Sequence, residues 1–379
     1  MNDSSVMSQN VSDGTWETAP LNVPIQIIKT LATILVMIGS FFGNSLVICV
    51  VLQSLRMRTV TNYLIVNMAC ADILYTLVAT PPLFVMIFEG YSWAMSSRGL
   101  EIFFCQVVNF GQFMLVPVSV LTLAAIAFDR FFAILMPLKR IINKRVFNWI
   151  IAVIWVTSVA VATPLLWVLR VVEDEDGSLT CYEIWEPAFD NETASKNYTL
   201  ILFFVMFCLP ICVITVLYTV ICRHLWYIKP PGETEREESK NLLKRRNSRR
   251  KVVKMLIAVV VVFIVSWLPL QIATFMFFFQ NAVVSESLYF ACEILMRASC
   301  ALNPAVYAIF SENYRQGFKR VLARCCCSKF SAFLPQRVAS SSSSRHQTVP
   351  SVLRSEYALS KRSCSKNYEE AGGEDEHQM

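Results

Sequence analysis

Seven long apolar segments recur along the 379-residue chain, and they constrain its fold more than any other feature. They occupy residues 25–53, 61–88, 102–128, 147–169, 198–222, 252–279 and 288–310. A helix rises about 1.5 Å per residue, so about twenty residues cross a bilayer core of about 30 Å. Only 16% of the residues are charged, against about 25% in soluble proteins. The sequence therefore predicts an all-α membrane protein in which seven transmembrane helices form a bundle.

Composition divides the chain into four regions. Residues 1–24 contain neither the basic nor the apolar part of a signal peptide, so we expect an extracellular tail that stays in the mature chain. Residues 25–310 contain the seven spans. Residues 311–327 place apolar and basic residues on opposite faces, which predicts a short amphipathic eighth helix on the inner leaflet. Residues 328–379 are rich in serine and charge, and we expect a disordered cytoplasmic tail there.

Lysine and arginine residues cluster in the connections on one side of the predicted membrane, and this side is cytoplasmic by the positive-inside rule. They are Arg56, Arg58, Lys139, Arg140, Lys144, Arg145, the basic residues of 244–251, Arg315, Lys319, Arg320 and Arg324. The opposite side is acidic, and it carries the predicted glycosylation sites Asn2, Asn10, Asn191 and Asn197. We therefore expect a multi-pass plasma-membrane protein with its N-terminus outside. Residues 229–251 are rich in charge and predict a mobile inner loop.

The predicted topology separates an outer cysteine pair from an inner cluster. Cys105 and Cys181 are the two cysteines that lie outside, in an oxidising environment, so we predict that they form a disulfide bond. Cys325, Cys326 and Cys327 directly follow the amphipathic stretch, where palmitoylation would add a lipid anchor to a basic helix. Unmodified thiols in the reducing cytosol are the alternative.

Ionisable residues within or beside the apolar segments are the first candidates for a functional site. Asp72 lies inside the second segment, where a carboxylate costs about 3 kcal/mol or more, and it marks a functional site by default. A protonated, hydrogen-bonded Asp72 with a purely structural role is the alternative. Asp129 and Arg130 follow the third segment as an adjacent pair, which is either a polar helix end or a working charge pair.

Several motifs occur together at corresponding places in the spans. They are Gly43-Asn44, Asn67 with Asp72, Cys105 with Cys181, Asp129-Arg130-Phe131, Trp155, Pro210 with Tyr218, Phe263 with Ser266-Trp267-Leu268-Pro269, and Asn303-Pro304 with Tyr307. In this order they resemble the rhodopsin-like (class A) G-protein-coupled receptors over about residues 25–327. The resemblance implies a receptor without enzymatic activity. Its partners would be an extracellular ligand, a heterotrimeric G protein, receptor kinases, arrestin and membrane lipid, with no nucleic acid.

The resemblance also implies roles for individual residues. The switch that meets the G protein comprises Asp129, Arg130, Tyr218, Asn303, Pro304 and Tyr307. The packing cluster that links the ligand pocket to the cytoplasmic face comprises Val120, Pro210, Phe263, Trp267 and Pro269. The sodium pocket of the family is matched by Asp72, Ser119, Ser299 and Asn303, so an allosteric sodium ion is implied and no other cofactor. Plain core packing is the alternative for the apolar and aromatic members.

Single positions argue against two ligand classes of this family. Arg297 stands where opsins carry the lysine that binds retinal, so no Schiff base forms there. Gln112 stands where amine receptors carry the aspartate counter-ion. Gln112, Pro81 and the long second outer loop instead resemble the neuropeptide Y, RFamide and orexin-like branch of receptors for short neuropeptides.

This resemblance implies a basic, amidated peptide ligand, which the acidic outer face would attract. The implied pocket residues are Gln112, Glu101, Glu183, Glu293, Arg297 and Trp267. Each acid is either a partner for a peptide arginine or part of a solvated rim, and Glu293 has Arg297 one turn away as a second option. A receptor for an amine or a lipid, a receptor that binds without signalling, and a transporter or channel are the alternatives. A transporter or channel would need internal repeats or a polar stripe, which the sequence lacks.

The serines at 248 and 340–344 are candidate targets of kinases that control the receptor. A phosphate beside arginine makes strong charge-assisted contacts, which favours arrestin binding to these segments. Serine-rich tails without such a role are the alternative.

Overall fold

The computed structural model describes residues 23–89, 98–137, 142–173, 179–227, 240–280 and 285–333. The helices are α1 (Val23–Gln53), α2 (Val60–Glu89), α3 (Arg98–Ile102), α4 (Asn109–Leu135), α5 (Lys144–Val168), α6 (Asn191–Leu202), α7 (Leu209–Tyr227), α8 (Lys240–Gln280), α9 (Glu286–Phe310) and α10 (Glu312–Phe333). Strands β1 (Leu169–Glu173) and β2 (Leu179–Glu183) pair antiparallel. The π-helical segments Phe103–Val108 and Phe203–Cys208 join α3 to α4 and α6 to α7.

Six helical segments of the described chain are long and apolar enough to cross a membrane. They are Val23–Gln53, Val60–Phe88, Gly99–Leu135, Lys144–Val168, Asn191–Trp226 and Arg246–Gln280. A seventh candidate qualifies only as a pair, Ser287–Phe310 with Glu312–Arg324, which meet at a bend of 107°. Two charged residues, Glu293 and Arg297, lower the hydropathy of α9. We number the spans one to seven in chain order, with α9 as the seventh.

Three predicted boundaries differ from the structure at the end of the bundle that contains Arg130, which we call the Arg130 end. The amphipathic helix predicted for residues 311–327 is α10, which continues to Phe333 and so includes the first six residues of the predicted disordered tail. The sequence places the Asp129-Arg130 pair at the end of the third span, but α4 continues to Leu135 because Ile134 and its aromatic neighbours extend the buried face. The pair therefore lies inside a helix. The predicted mobile loop of residues 229–251 is wrong for its second half, because α8 begins at Lys240. Lysine, arginine and leucine are good helix formers, so the basic run continues the helix of the sixth span.

The fourth helix lies at the centre of the bundle. It contacts α2, α5 and α7, while α9 packs against α1 and α8. Leu64, Ile126 and Ile214 are fully buried in the shared core. Large apolar side chains also cover the outside of the bundle, where Leu35, Val156 and Ile309 have 71%, 68% and 67% of their surface exposed. Such a surface is stable in contact with lipid tails, which are as apolar as leucine.

The hairpin of β1 and β2 lies at the opposite end of the bundle, which we call the hairpin end. The predicted disulfide bond is confirmed: it links Cys105, in the third span, to Cys181 in β2, with a Cα–Cα distance of 5.6 Å. Gln106 adds a hydrogen bond from its Nε2 to the backbone oxygen of Leu169, at 2.8 Å. The start of α6 is capped by Asp190, which accepts a hydrogen bond from the backbone N–H of Thr193, and this bond lowers the pKa of the carboxyl.

The tenth helix packs against α1 at the Arg130 end. Tyr314 is buried, and its hydroxyl donates to Oδ1 of Asn62 in α2 at 3.2 Å. Gly317 faces Val50 so closely that an added Cβ would lie 2.4 Å from Val50 Cγ1. Arg315 and Lys319 are exposed, so apolar and basic residues occupy opposite faces of the helix.

The close approach of α1 to α9 predicts a large effect of one added methyl group. In Gly43→Ala the new Cβ would lie 2.9 Å from Pro304 Cγ and 3.0 Å from Pro304 Cβ. Overpacking costs about 1–3 kcal/mol, more than the roughly 1 kcal/mol that alanine gains over glycine in a helix. We expect a lower midpoint of thermal unfolding in detergent. Gly39→Ala, whose Cβ would lie 3.3 Å from Ala301 Cβ, is the matched control, and equal midpoints would contradict the packing argument.

Candidate functional site

A buried carboxylate in the middle of the bundle brings three spans together. Asp72 in α2 is 2% exposed. Its Oδ1 accepts a hydrogen bond from Ser119 Oγ in α4 at 3.2 Å, and its Oδ2 accepts one from Asn303 Nδ2 in α9 at 2.9 Å. A carboxylate removed from water needs such donors, because otherwise its charge has no compensation.

A small cavity of about 20 Å³ adjoins this carboxylate. This volume accommodates about one water molecule or a small ion. The walls contain Met68, Asp72, Tyr75, Leu115, Val116, Ser119, Leu123, Phe263, Trp267, Ser299, Cys300 and Asn303. All four residues of the predicted sodium pocket therefore line one cavity. Ser299 does not bond to Asp72 in this structure, because its hydroxyl donates to the backbone oxygen of Met296 at 2.7 Å. Hard oxygen atoms of this kind suit a sodium ion.

Two asparagines, one buried and one half-buried, connect the spans around the cavity. Asn44 in α1 donates from Nδ2 to the backbone oxygens of Ser40, at 2.9 Å, and Cys300 in α9, at 3.0 Å. Asn67 in α2 donates to Thr122 Oγ1 at 2.9 Å and accepts from Trp155 Nε1 at 3.1 Å. The motif residues of spans one, two and four thus act as structural hydrogen-bond partners.

An aromatic stack extends from the cavity toward the fifth span. Phe263 stacks on Trp267 with ring centroids 5.3 Å apart, and Phe207 lies 6.0 Å from Phe263. Val120 and Pro210, two other members of the predicted packing cluster, are also buried. Trp267 Nε1 has no hydrogen-bond partner in the part of the chain that the structure describes. Pro269 lies inside α8, two residues after Trp267.

The charge pair at the Arg130 end is held by a third residue. Asp129 Oδ2 accepts hydrogen bonds from Arg130 Nη2 at 2.6 Å and from Arg130 Nε at 3.1 Å. It also accepts a hydrogen bond from the hydroxyl of Thr61 in α2. The two tyrosines of the predicted switch, Tyr218 and Tyr307, are both buried and belong to one core cluster. The hydroxyl of Tyr307 lacks a hydrogen-bond partner among the described residues, while its ring stacks on Tyr314 at 5.3 Å.

The three acids predicted for the ligand pocket differ in how they are bonded. Glu293 forms an ion pair with Arg297 and accepts a hydrogen bond from the hydroxyl of Tyr289 at 3.3 Å. Glu183 accepts a hydrogen bond from Trp185 Nε1 at 2.6 Å. Glu101 is 4% exposed, and neither of its carboxylate oxygens has a hydrogen-bond partner within the described ranges. Of the two options for Glu293, the structure has the pair with Arg297.

Of the residues predicted for the ligand pocket, Trp267 lines the small central cavity. The others, Gln112, Glu101, Glu183, Glu293 and Arg297, are not among its lining residues. Gln112 is half-buried in α4. The predicted glycosylation sites Asn2 and Asn10 lie outside the described residues, as do the side chains of Cys325, Cys326 and Cys327. Asn191 Oδ1 accepts hydrogen bonds from the backbone N–H groups of Trp185, at 2.6 Å, and Glu186, at 3.2 Å, and Asn197 lies within α6.

Sequence reasoning missed several residues that hold the site together. Thr61 binds Asp129 and Thr122 binds Asn67, but threonine is common in apolar spans, and its hydroxyl is often satisfied by its own helix. Arg246 and Arg250 also have a specific role at the Arg130 end, since both donate to the backbone oxygen of Leu225 in α7. A run of basic residues alone does not indicate which members make such bonds.

The fold and this polar interior define a multi-pass membrane protein of the receptor type. A family model described as "7 transmembrane receptor (rhodopsin family)" matches residues 43–307. The chain belongs to the rhodopsin family of seven-transmembrane receptors, which are not enzymes. The predicted seven-helix bundle is thereby confirmed, with α9 as its seventh span.

Several curated proteins are similar to most of the chain. A QRFP-like peptide receptor of Branchiostoma floridae is 33% identical over 344 residues, which cover 87% of this chain and 83% of that protein. An RYamide receptor of Drosophila melanogaster is 32% identical over 336 residues, which cover 84% of this chain and 68% of that protein. A substance-P receptor of Aquarana catesbeiana is 31% identical over 330 residues, which cover 85% of this chain and 77% of that protein. The predicted resemblance to the neuropeptide-receptor branch is confirmed by these relatives.

The contact of Thr61 with Asp129 predicts a specific loss of stability in Thr61→Val. This nearly isosteric change removes one donor from a buried carboxylate, and such a loss costs about 1–3 kcal/mol. We expect a lower midpoint of thermal unfolding in detergent. The matched control is Thr215→Val, because Thr215 is exposed and its hydroxyl bonds only to Ile211 of its own helix. A midpoint that falls equally in both variants would contradict the role of Thr61.

Proposed function

We propose that this protein is a cell-surface receptor for a basic, amidated peptide and that it activates a heterotrimeric G protein. The observation that carries the peptide class is Glu101, a buried carboxylate without a hydrogen-bond partner in the described chain. The names of the similar proteins, which include QRFP-like peptide and RYamide receptors, support the same class of ligand. The N-terminus and the hairpin end are extracellular in this proposal, and the Arg130 end is cytoplasmic.

Glu101 is suited to a cationic ligand group because neither of its carboxylate oxygens has a hydrogen-bond partner in the described part of the chain. An unpaired buried charge is costly, and a guanidinium that arrives with two parallel hydrogen bonds removes this cost. Glu293 and Glu183 already have partners in Arg297 and Trp185, so a ligand would have to displace these bonds. The acidic connections between spans would attract a cationic peptide over about 8 Å at physiological salt.

The pair of Asp129 and Arg130 supports the coupling to a G protein. Arg130 is held within α4 by Asp129, and the side chain of Arg130 is 24% exposed, so it can reach a partner once it is released. Tyr307, whose hydroxyl has no described hydrogen-bond partner, and Tyr218 are available to bind the released arginine. Release would accompany an outward swing of the sixth span, and receptor kinases and arrestin would then act on the activated receptor.

The central cavity supports an allosteric sodium site. Asp72 and Ser119 would contribute a carboxylate and a hydroxyl oxygen, and Ser299 and Asn303 complete the oxygen set. A bound cation would compensate the Asp72 charge and favour the arrangement in which the spans surround it closely.

The peptide proposal is tested by combining receptor and peptide changes. Cells that express the chain would receive amidated peptides that end in Arg-Phe or Arg-Tyr, beside monoamines and lipids, and calcium and cyclic AMP would be measured. We expect Glu101→Gln to lower the potency of an active arginine peptide about tenfold or more, because a charged pair is lost. When citrulline replaces arginine in the same peptide, Glu101→Gln should have little effect on the potency of the peptide.

Glu183→Gln is the control, since Glu183 is already bonded to Trp185. An equal loss for both peptides in Glu101→Gln would contradict the pairing with Glu101. Silence to every peptide with a response to an amine or a lipid would overturn the ligand class.

The sodium proposal predicts a cation-specific stabilisation. A ligand that binds only the folded state raises its stability by RT ln(1 + [L]/Kd). The midpoint of thermal unfolding of the purified receptor should rise in sodium chloride relative to choline chloride at the same ionic strength. Asp72→Asn should abolish this difference, and Ser299→Ala should reduce it. A sodium effect that persists in Asp72→Asn would overturn the site.

A further inference from the structure

The cytoplasmic end contains a second cavity, of about 340 Å³, between the third and sixth spans. Its walls are Arg130, Ala133 and Ile134 from α4, and Ser248, Arg249, Val252 and Val253 from α8. We propose that Ser248 is a phosphorylation site and that its phosphate binds Arg130 and Arg249, which links the sixth span to the third and holds the receptor in its resting state. This proposal rests on the proposed role of Arg130 in G-protein coupling.

The described walls of this cavity combine two cations with a hydroxyl and no carboxylate. Arg130 obtains its negative partner from Asp129, its neighbour in α4, so this pair does not connect α4 to α8. On α8, the residues that line the cavity are Ser248, Arg249, Val252 and Val253, and their spacing is that of one helical face. A negative group on this face would create the missing link between the two spans.

Phosphorylation supplies such a group at the right place. A phosphoserine carries about −1.5 to −2 charges at pH 7 and three acceptor oxygens, and it pairs strongly with arginine. The cavity has the volume to hold a phosphate between Arg130 and Arg249. The new bonds would have to break before α8 could move away from α4, so the phosphate would favour the closed arrangement.

Two other arginines of this segment already have partners, which explains why the phosphate would bind Arg130 and Arg249. Arg250 donates from Nη2 and Nε to the backbone oxygen of Leu225, at 2.8 and 3.2 Å, and lies 5.1 Å from the ring of Trp226. Arg246 donates to the same oxygen at 3.1 Å. These two arginines are therefore engaged with α7, whereas Ser248 and Arg249 line the cavity.

The sequence before Ser248 provides recognition for a kinase. Ser248 is exposed, and Arg245 and Arg246 precede it by three and two residues. Kinases choose substrates partly by charge patterns, and this pattern favours an arginine-directed serine kinase. In the transfer, the hydroxyl oxygen of Ser248 attacks the γ-phosphorus of ATP, the bond to the bridging oxygen breaks, and ADP leaves. The hydroxyl proton goes to the aspartate base of the kinase.

The first test uses the full-length receptor in lipid nanodiscs, treated with an arginine-directed kinase and ATP. Mass spectrometry should find phosphate on Ser248 in the wild type and not in Ser248→Ala. Absence of phosphate on Ser248, while a control peptide with the same sequence is phosphorylated, would overturn the modification site.

The second test measures hydrogen exchange of the backbone amides in the first turns of α8. If the phosphate links α8 to α4, local opening becomes rarer and exchange at residues 246–253 slows about tenfold. Arg249→Gln should remove most of this slowing, whereas Lys251→Gln, a charge change at an exposed neighbour, should not. Unchanged or faster exchange in the phosphorylated wild type would mean that the phosphate loosens the helix, which would overturn the link.

A third readout separates this proposal from the proposed coupling. Nucleotide exchange on a panel of purified heterotrimeric G proteins should be slower with the phosphorylated receptor than with the phosphatase-treated receptor. Slowed hydrogen exchange in a receptor that activates none of the G proteins would refute the coupling and leave the link intact. Coupling that is unaffected by phosphate on Ser248 would refute the regulatory role of the link.

Discussion

A carboxylate that is placed among apolar spans must find its hydrogen-bond donors within the protein, and the interior of this receptor is arranged around that constraint. Asp72 takes its donors from two other helices, Ser119 in α4 and Asn303 in α9. Asp129 takes one donor from α2 and the rest from Arg130, its neighbour in sequence. Asp72 therefore fixes three spans relative to one another. Asp129 instead binds Arg130 of its own helix.

The two acids are coupled by what lies between them. Phe263 and Trp267 line the cavity beside Asp72, and Phe263 belongs to the same core cluster as Tyr218 and Tyr307 near Arg130. Close backbone contacts limit how this core can move, since Gly43 leaves no space beside Pro304. Packed side chains therefore connect the central acid to the end that carries the charge pair, with the close packing expected of protein interiors.

Hydropathy and the cost of burying charge are sufficient to predict the seven spans, Asp72 and the disulfide bond. They are insufficient where a helix continues without a change of environment. Nothing in composition ends α4 at Phe128, and nothing delays the start of α8 until Val252, because helix-forming residues continue in both places. The sequence also does not determine which acids have bonding partners. The sequence offers Arg297 as one of two options for Glu293, and only the structure shows that this pair forms, while Glu101 has no hydrogen-bond partner among the described residues.

The π-helical segments Phe103–Val108 and Phe203–Cys208 divide the third and fifth spans into two registers. A π turn contains one residue more than an α turn, and one residue corresponds to about 100° of rotation. Loss of a single residue from either segment would restore regular α-helix and rotate everything on the hairpin side by about that angle. The half that contains Val120, Asp129 and Arg130 would keep its orientation. Single-residue insertions and deletions at these two points therefore allow the hairpin-side face to acquire new side-chain directions during evolution without disturbing the charge pair.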